Sequence, residues 1–194
     1  TELEVIRAFL HQVNEKDRPD TIAFWNMRFD AVTLLNRLRK LGADADAEFT
    51  PKDFGQWQLA DYSVDTFNSA DPTECSDVFT CTSYTIYIDQ MLLYAGLRKS
   101  AKKASYNLDF TLREELSEHK LEYTGSLRDL PYSNYSDFLL YGAFDVAPMA
   151  TLEEKNEDIA LVYQLSMITR TRFQKASSAS SSSSASSRSS LSSS

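Results

Sequence analysis

The amino-acid sequence predicts a protein of the α/β class. Residues 21–26 and 84–88 are short runs of β-branched, aromatic and other apolar residues, which are typical of buried strands. Segments with apolar residues at helical spacing precede, separate and follow these two runs. Alternating strands and helices are the pattern of the α/β class.

The first half of the chain shows this alternation most clearly. Apolar residues recur every three or four positions over residues 2–14, which predicts an amphipathic helix before the strand at 21–26. A second helix is predicted over 31–41, because its last turn is basic and Gly42 follows it. Residues 43–80 mix Asp, Ser and Thr with scattered aromatic residues. They predict an irregular segment with short strands, lying on the surface or forming a small hairpin.

The second half is predicted to be mainly helical. The strand at 84–88 is expected to end at Asp89, because a helical pattern begins at the next residue. Further helices are predicted over residues 90–99, 108–116, 135–142 and 152–173. No internal repeat of about 20 to 50 residues interrupts this order.

Length and composition suit one domain with a low-complexity tail. The chain has 194 residues, 42% of them hydrophobic, and a formal net charge of −8. Fourteen of the last 18 residues are serine, a composition that buries too little apolar surface to repay its backbone entropy. We therefore predict a globular part over residues 1–175 and a Ser-rich tail over 176–194.

Several classes of protein are disfavoured. No apolar run approaches the ~18 residues of a membrane-spanning helix, and the first residues show no apolar signal region. A cytoplasmic protein is therefore expected, or one in the host cytoplasm if the chain is viral. Cys75 and Cys81 are predicted to be free thiols, since two cysteines make neither a disulfide framework nor a zinc site. The negative charge argues against a non-specific nucleic-acid coat but is compatible with an acidic metal site.

Three polar groups could carry chemistry, and each also has a structural interpretation. Asp30 follows a predicted strand and starts a predicted helix, so it could be a helix N-cap or a metal ligand. Tyr141 and Asp145 are four residues apart and would share one face of a helix, as a site or as an exposed surface pair. Lys120 lies in a polar turn and could contact a phosphate or only solvent.

Taken together, these segments resemble the 3′–5′ exonuclease domain of family B DNA polymerases, especially those of tailed bacteriophages. The run 25–30, ending in Phe29 and Asp30, resembles the second exonuclease motif, Asn-x(2 or 3)-Phe/Tyr-Asp. Tyr141 and Asp145 resemble the third motif. The connecting segments at 87–94, 105–109 and 120–125 resemble the family's sequence and occur in the same order.

The resemblance implies a fold and a chemistry. The fold would be ribonuclease H-like, a mixed five-stranded sheet flanked by helices, and its first three strands would precede residue 1. The chemistry would be hydrolysis of 3′-terminal nucleotides by two metal ions, Mg²⁺ or Mn²⁺, held about 4 Å apart by carboxylates. Asp145 and Asp30 would each hold one metal, Tyr141 would orient the attacking water, and Lys120 would neutralise the scissile phosphate.

The resemblance also implies the contacts with DNA. Asn26 and Phe29 would line the pocket for the 3′-terminal nucleotide. Asn107 and Leu108 match the segment that contacts single-stranded DNA, although the family has Ser or Thr where Asn107 stands. Five basic residues are additional candidates for phosphate contacts: Arg28, Arg98, Lys99, Lys102 and Lys103.

The family's first motif, Asp-x-Glu on the first strand, has no counterpart here in the right order or context. The expected partners are therefore a single-stranded DNA 3′ end and a polymerase or other replication chain that supplies this motif, with no membrane. The polymerase palm motifs are also absent, so the chain is not expected to polymerise DNA by itself. The alternative is a catalytically inactive exonuclease-like subunit or scaffold of a viral replication complex.

Overall fold

The computed structural model describes residues 1–64, 71–75, 77–118 and 125–173, and this part of the chain is an α/β protein, as the sequence predicts. The strands are β1 Thr21–Phe24, β2 Ala60–Ser63, β3 Val78–Cys81 and β4 Ile86–Asp89. The helices are α1 Glu2–His11, α2 Met27–Lys40, α3 Ala45–Phe49, α4 Gln90–Leu97, α5 Leu108–Leu116, α6 Leu130–Ser133, α7 Tyr135–Asn156 and α8 Asp158–Thr169. A π-helical turn, Gln12–Asp17, continues α1, and a 3₁₀ turn, Lys52–Phe54, follows α3.

The strands of the described residues form two separate pairs. β1 and β4 are parallel, with Thr21 opposite Ile86 and Phe24 opposite Asp89. β2 and β3 are antiparallel, which confirms the small hairpin-like pair predicted within residues 43–80. The five-stranded sheet implied by the family resemblance is not formed by the described residues alone.

Helix α2 begins earlier than the sequence pattern predicts. It starts at Met27 because the side chain of Asn26 accepts the main-chain N–H of Phe29 at 3.3 Å. Asp30 therefore lies inside the first turn, and its interpretation as the N-cap is wrong. The helix ends as predicted, with Gly42 in the left-handed conformation at φ +75°, which glycine adopts without a steric penalty.

The single helix predicted over residues 152–173 is wrong. Helix α7 runs from Tyr135 through Pro148 to Asn156, and Glu157 then breaks the helix with a left-handed backbone, φ 52°. The carboxylate of Glu153 accepts the N–H groups of Ile159 and Ala160 at 3.0–3.2 Å, so it caps the start of α8 from the previous helix. Apolar periodicity continues across this break and therefore does not reveal it.

The core of the described residues is divided around the parallel strands. One cluster joins α1, α2, α3 and the antiparallel pair, and its most buried large side chains are Leu10, Leu35, Leu38 and Phe49. A second joins α4, α5 and α7 through Trp25, Tyr94, Tyr106, Leu108, Leu112 and Leu152. A third joins β4, α4 and α8 through Ile88, Leu93, Val162 and Phe173. The ends of β1 and β4 thus lie between packed layers.

Neither Cys75 nor Cys81 forms a disulfide, as predicted. None of the helices in the described part of the chain is long and apolar enough to cross a membrane. The Ser-rich tail predicted over 176–194 lies outside the described residues.

Candidate metal and nucleic-acid site

The predicted second motif lies where β1 ends and α2 begins. Asn26 is exposed, and the ring of Phe29 is 70% exposed although it is a large apolar side chain. Asp30 is half-buried one residue further along, and this burial raises its carboxyl pKa. An exposed amide, an exposed ring and a carboxylate within five residues can contact a base, a sugar and a cation.

A buried carboxylate lies beside this motif, at the end of β4. Asp89 is 7% exposed, and its two carboxylate oxygens accept main-chain N–H groups from different helices. One accepts from Met27 of α2 at 2.9 Å, and the other accepts from Leu92 of α4 at 2.8 Å. Burial raises the pKa of Asp89 to about 7 despite these donors, and the nearby Asp77 carboxylate adds to the rise. Asp89 thus fixes two helix N-termini at the carboxyl edge of the parallel strands.

A second carboxylate, the buried Asp77, forms an ion pair with the partly exposed Arg28. The guanidinium donates to both carboxylate oxygens, at 2.7 and 3.0 Å, and the hydroxyl of Tyr62 donates to one of them at 3.0 Å. The thiol of Cys75 lies 3.5 Å from the other oxygen. The bidentate geometry fixes the orientation of the guanidinium relative to the carboxylate.

These groups surround a cavity of about 180 Å³ at the carboxyl ends of β1 and β4. Its lining residues are Asn26, Arg28, Pro72, Cys75, Asp77, Asp89, Met91 and Leu92. Ligands of open α/β sheets bind at this edge, because loops and helix N-termini converge there. The cavity therefore lies at the strand edge where Asn26 of the second motif is next to the carboxylates of Asp77 and Asp89.

The predicted third motif lies on α7. Tyr141 and Asp145 are one turn apart on that helix, and both are half-buried. Helix α7 packs against α5 and α6.

The metal ligands implied by the resemblance do not form a complete centre within the described residues. In that part of the chain, no three His, Cys, Asp or Glu side chains are arranged to hold a metal ion. Asp30 and Asp145 have the hard oxygen ligands that Mg²⁺ and Mn²⁺ prefer. Two carboxylates do not suffice for a two-metal centre, so the residues described here do not by themselves fit the implied metals.

The predicted DNA-contact segment at the start of α5 is partly engaged in the fold. The side chain of Asn107 accepts the N–H of Phe110 at 2.7 Å and caps the helix. Leu108 is buried against Trp25 and Leu152 in the second core cluster. Asn107 is exposed and accessible to a ligand, whereas the Leu108 side chain contributes mainly to packing. Lys120 lies outside the described residues.

The basic residues suggested for phosphate contacts all form ion pairs with carboxylates. Besides the Arg28–Asp77 pair, these are Arg98–Asp158 at 2.8 Å, Lys99–Glu74 at 3.2 Å, Lys102–Asp71 at 2.7 Å and Lys103–Glu114 at 2.6 Å. A phosphate would have to compete with these carboxylates for each cation. The positive charge of this region is therefore largely compensated within the chain.

Sequence reasoning did not assign roles to Asp77 and Asp89. A signal existed for Asp89, since an Asp between a strand and a helix is a typical N-cap. No local signal existed for Asp77, because its partners Arg28 and Tyr62 are distant along the chain. The arrangement follows from the tertiary fold.

The chain matches none of the protein-family models, and no significant match was found among curated proteins.

Proposed function

We propose that this chain is the proofreading 3′–5′ exonuclease portion of a family B DNA polymerase. It would remove 3′-terminal nucleotides from single-stranded DNA ends by two-metal hydrolysis, in the cytoplasm, or in the host cytoplasm if it is viral. The observation that carries the proposal is the ordered set of motifs, 25–30, 120–125 and 141–145, together with the connecting segments. The exposed Asn26 and Phe29 at the start of α2 support it, since a nucleotide can reach both.

The proposed chemistry needs more carboxylates than Asp30 and Asp145. We infer that an Asp-x-Glu pair from residues or a chain outside this sequence completes the centre, on strands that extend the β1–β4 pair to a ribonuclease H-like sheet. When bound, Mg²⁺ or Mn²⁺ would activate water and stabilise the leaving oxygen. The half-burial of Asp30 supports this assignment, because a partly desolvated carboxylate interacts strongly with a cation.

The remaining residues of the motifs would position the DNA. Asn26 and Phe29 would hold the terminal nucleotide by hydrogen bonding and stacking, and Asn107 would contact the single strand upstream. Leu108 would support Asn107 from within the core. Tyr141, one turn from Asp145, would orient the attacking water, and Lys120 would neutralise the scissile phosphate.

The second candidate function is an inactive exonuclease-like subunit or scaffold of a replication complex. The observation that favours it is the compensated charge: the basic residues near α4 already bind carboxylates. A surface of this kind holds proteins more readily than DNA.

A nuclease assay separates the two candidates. The chain, together with any co-purifying partner, is incubated with a 5′-labelled single-stranded oligonucleotide and Mg²⁺ or Mn²⁺. We expect stepwise shortening from the 3′ end, and we expect Asp145→Ala to abolish it. Asp137→Ala, on the same helix two turns earlier, is the matched control and should retain activity. An assembled complex that leaves the oligonucleotide intact would refute the enzyme and favour the scaffold.

A further inference from the structure

The two asparagines among the proposed DNA contacts begin their helices in the same way. The side-chain oxygen of Asn26 accepts the N–H of Phe29 at the start of α2. The side-chain oxygen of Asn107 accepts the N–H of Phe110 at the start of α5. Both asparagines are exposed, and the oxygen of each amide is used in a helix cap. The NH₂ group of each amide is therefore the part that can donate to a phosphate or a base.

A buried hydrogen bond joins the residues that directly precede these two asparagines. The indole N–H of Trp25 donates to the main-chain carbonyl of Tyr106 at 3.1 Å, across 81 residues of sequence. Trp25 is 9% exposed and Tyr106 is 8% exposed. Such a bond is costly to break, because the buried carbonyl would lose its partner without gaining water. It therefore holds the start of α2 and the start of α5 in one relative position.

The surrounding aromatic rings keep the indole in place. The centroid of the Trp25 ring lies 6.2 Å from that of Tyr94, which lies 6.5 Å from that of Tyr106. The hydroxyl of Tyr106 accepts the main-chain N–H of Lys103 at 3.2 Å. Trp25 also shares a core cluster with Leu152 of α7, the helix that carries the predicted third motif. Rotation of the indole away from the carbonyl would therefore disturb close-packed contacts on several elements.

We propose that Trp25 is a positioning residue that sets the spacing between Asn26 and Asn107. The inference rests on the proposed function, in which Asn26 contacts the terminal nucleotide and Asn107 contacts the strand upstream. A strand that reaches both asparagines benefits from their fixed spacing, because the second contact forms without further ordering of the protein. A dinucleotide has no upstream strand for Asn107 to contact. Trp25 therefore acts on the preference of the site for longer single strands.

The test compares a dinucleotide with a longer single strand as substrates of the full chain, together with any co-purifying partner and Mg²⁺. Trp25→Phe keeps an aromatic ring at this position but removes the N–H. We expect the ratio of kcat/KM for the long strand to kcat/KM for the dinucleotide to fall about tenfold, mainly through the KM of the long strand. Trp57→Phe makes the same change at a 72% exposed indole, and it should change this ratio less than about twofold.

A second variant separates the hydrogen bond from the shape of the ring. Replacement of Trp25 by 3-benzothienylalanine keeps the size of the indole and substitutes sulfur for the N–H, so the ratio should fall as in Trp25→Phe. Because this side chain fits the same space, it provides the test even if Trp25→Phe does not fold. An active variant whose ratio stays at the wild-type value would overturn the inference, since Trp25 would then contribute packing alone.

Failure of this inference can be told apart from failure of the proposed function. An equal loss of kcat/KM on both substrates leaves the ratio unchanged, and it would refute the positioning role while the enzyme remains an exonuclease. A wild-type complex that cuts neither substrate would overturn the proposed function and the positioning role with it.

Discussion

Asp89 accepts the main-chain N–H of Met27 at 2.9 Å, across 62 residues of sequence. Its other carboxylate oxygen accepts the N–H of Leu92 at 2.8 Å. One side chain at the end of β4 therefore sets the positions of both α2 and α4. Because Asn26 and Asp30 belong to the start of α2, the geometry of the candidate site depends on this carboxylate.

The ionisation of Asp89 is expected to make stability depend on pH. Its pKa is raised from 3.8 to about 7 in the fold, so the folded chain keeps a proton that the unfolded chain releases between these values. Protonated Asp89 favours the folded state, and this contribution to the free energy of unfolding is fully present below pH 4 and is lost as pH rises through 7. At roughly 1.4 kcal/mol per pKa unit, the loss is on the order of 4 kcal/mol.

Urea unfolding between pH 4 and 8 measures this effect. Asp89→Asn removes the titrating group, so the decline in the free energy of unfolding with pH should become shallower. Asp61→Asn, at an exposed position, is the control, and the free energy of unfolding should decline with pH as it does in the wild type. Equal pH profiles for wild type and Asp89→Asn would contradict the prediction.

The ion pair between Arg28 and the buried Asp77 should stabilise the loop before β3. Arg28→Met leaves the Asp77 carboxylate, whose side chain is almost fully buried, without its cation. We expect a loss of about 3 kcal/mol in the free energy of unfolding, the lower end for buried pairs because Arg28 is partly exposed. Arg7→Met removes an exposed pair with Glu48 and should cost less than about 1 kcal/mol. Denaturant unfolding of both variants tests the difference.

Glu153 is expected to stabilise the start of α8. Its carboxylate accepts N–H groups of Ile159 and Ala160, which have no partner within the first turn. Glu153→Ala should cost about 1 kcal/mol and speed hydrogen exchange at these two amides. Glu154→Ala changes the exposed neighbour and should do neither. Unchanged exchange at Ile159 in Glu153→Ala would show that the cap is dispensable.

Leu152 is expected to anchor α7. It is 1% exposed and packs in the cluster with Trp25 and Leu108, whereas Leu139 on the same helix is exposed. Leu152→Ala should cost about 2–5 kcal/mol and raise hydrogen exchange along α7. Leu139→Ala should change stability by no more than about 0.5 kcal/mol. Similar losses in the two variants would mean that α7 is held by other contacts.

The elements that the sequence predicted well have local signals. The strands at 21–26 and 84–88 are dense in β-branched and aromatic residues, and helix 108–116 has both a cap and a regular apolar face. The break at Glu157 had no such signal, because it depends on a carboxylate that reaches across from the previous helix. Helix α3 escaped the prediction because its five residues are too short for a periodic pattern.

In the candidate site too, the sequence predicted the residues that have a local signal and missed those that depend on tertiary contacts. Asn26, Phe29 and Asp30 are close in sequence, so their shared position at the start of α2 was predictable from a local motif. The roles of Asp77 and Asp89 arise from contacts with Arg28 and Met27 that only the fold creates. Leu108 illustrates the limit of the motif comparison, because a match in sequence does not indicate whether a side chain faces a ligand or the core.

The pairing of Thr21 with Ile86 also bears on how quickly the chain can fold. Parallel strands cannot be joined by a tight turn, so a loop of about sixty residues must close before β1 forms its first ladder bond. Helices α2 and α4 can form from nearby residues much sooner, because their contacts are local. We therefore expect pairing with the distant strand β4 to be a slow step in folding, during which the edge of β1 can pair with other strands.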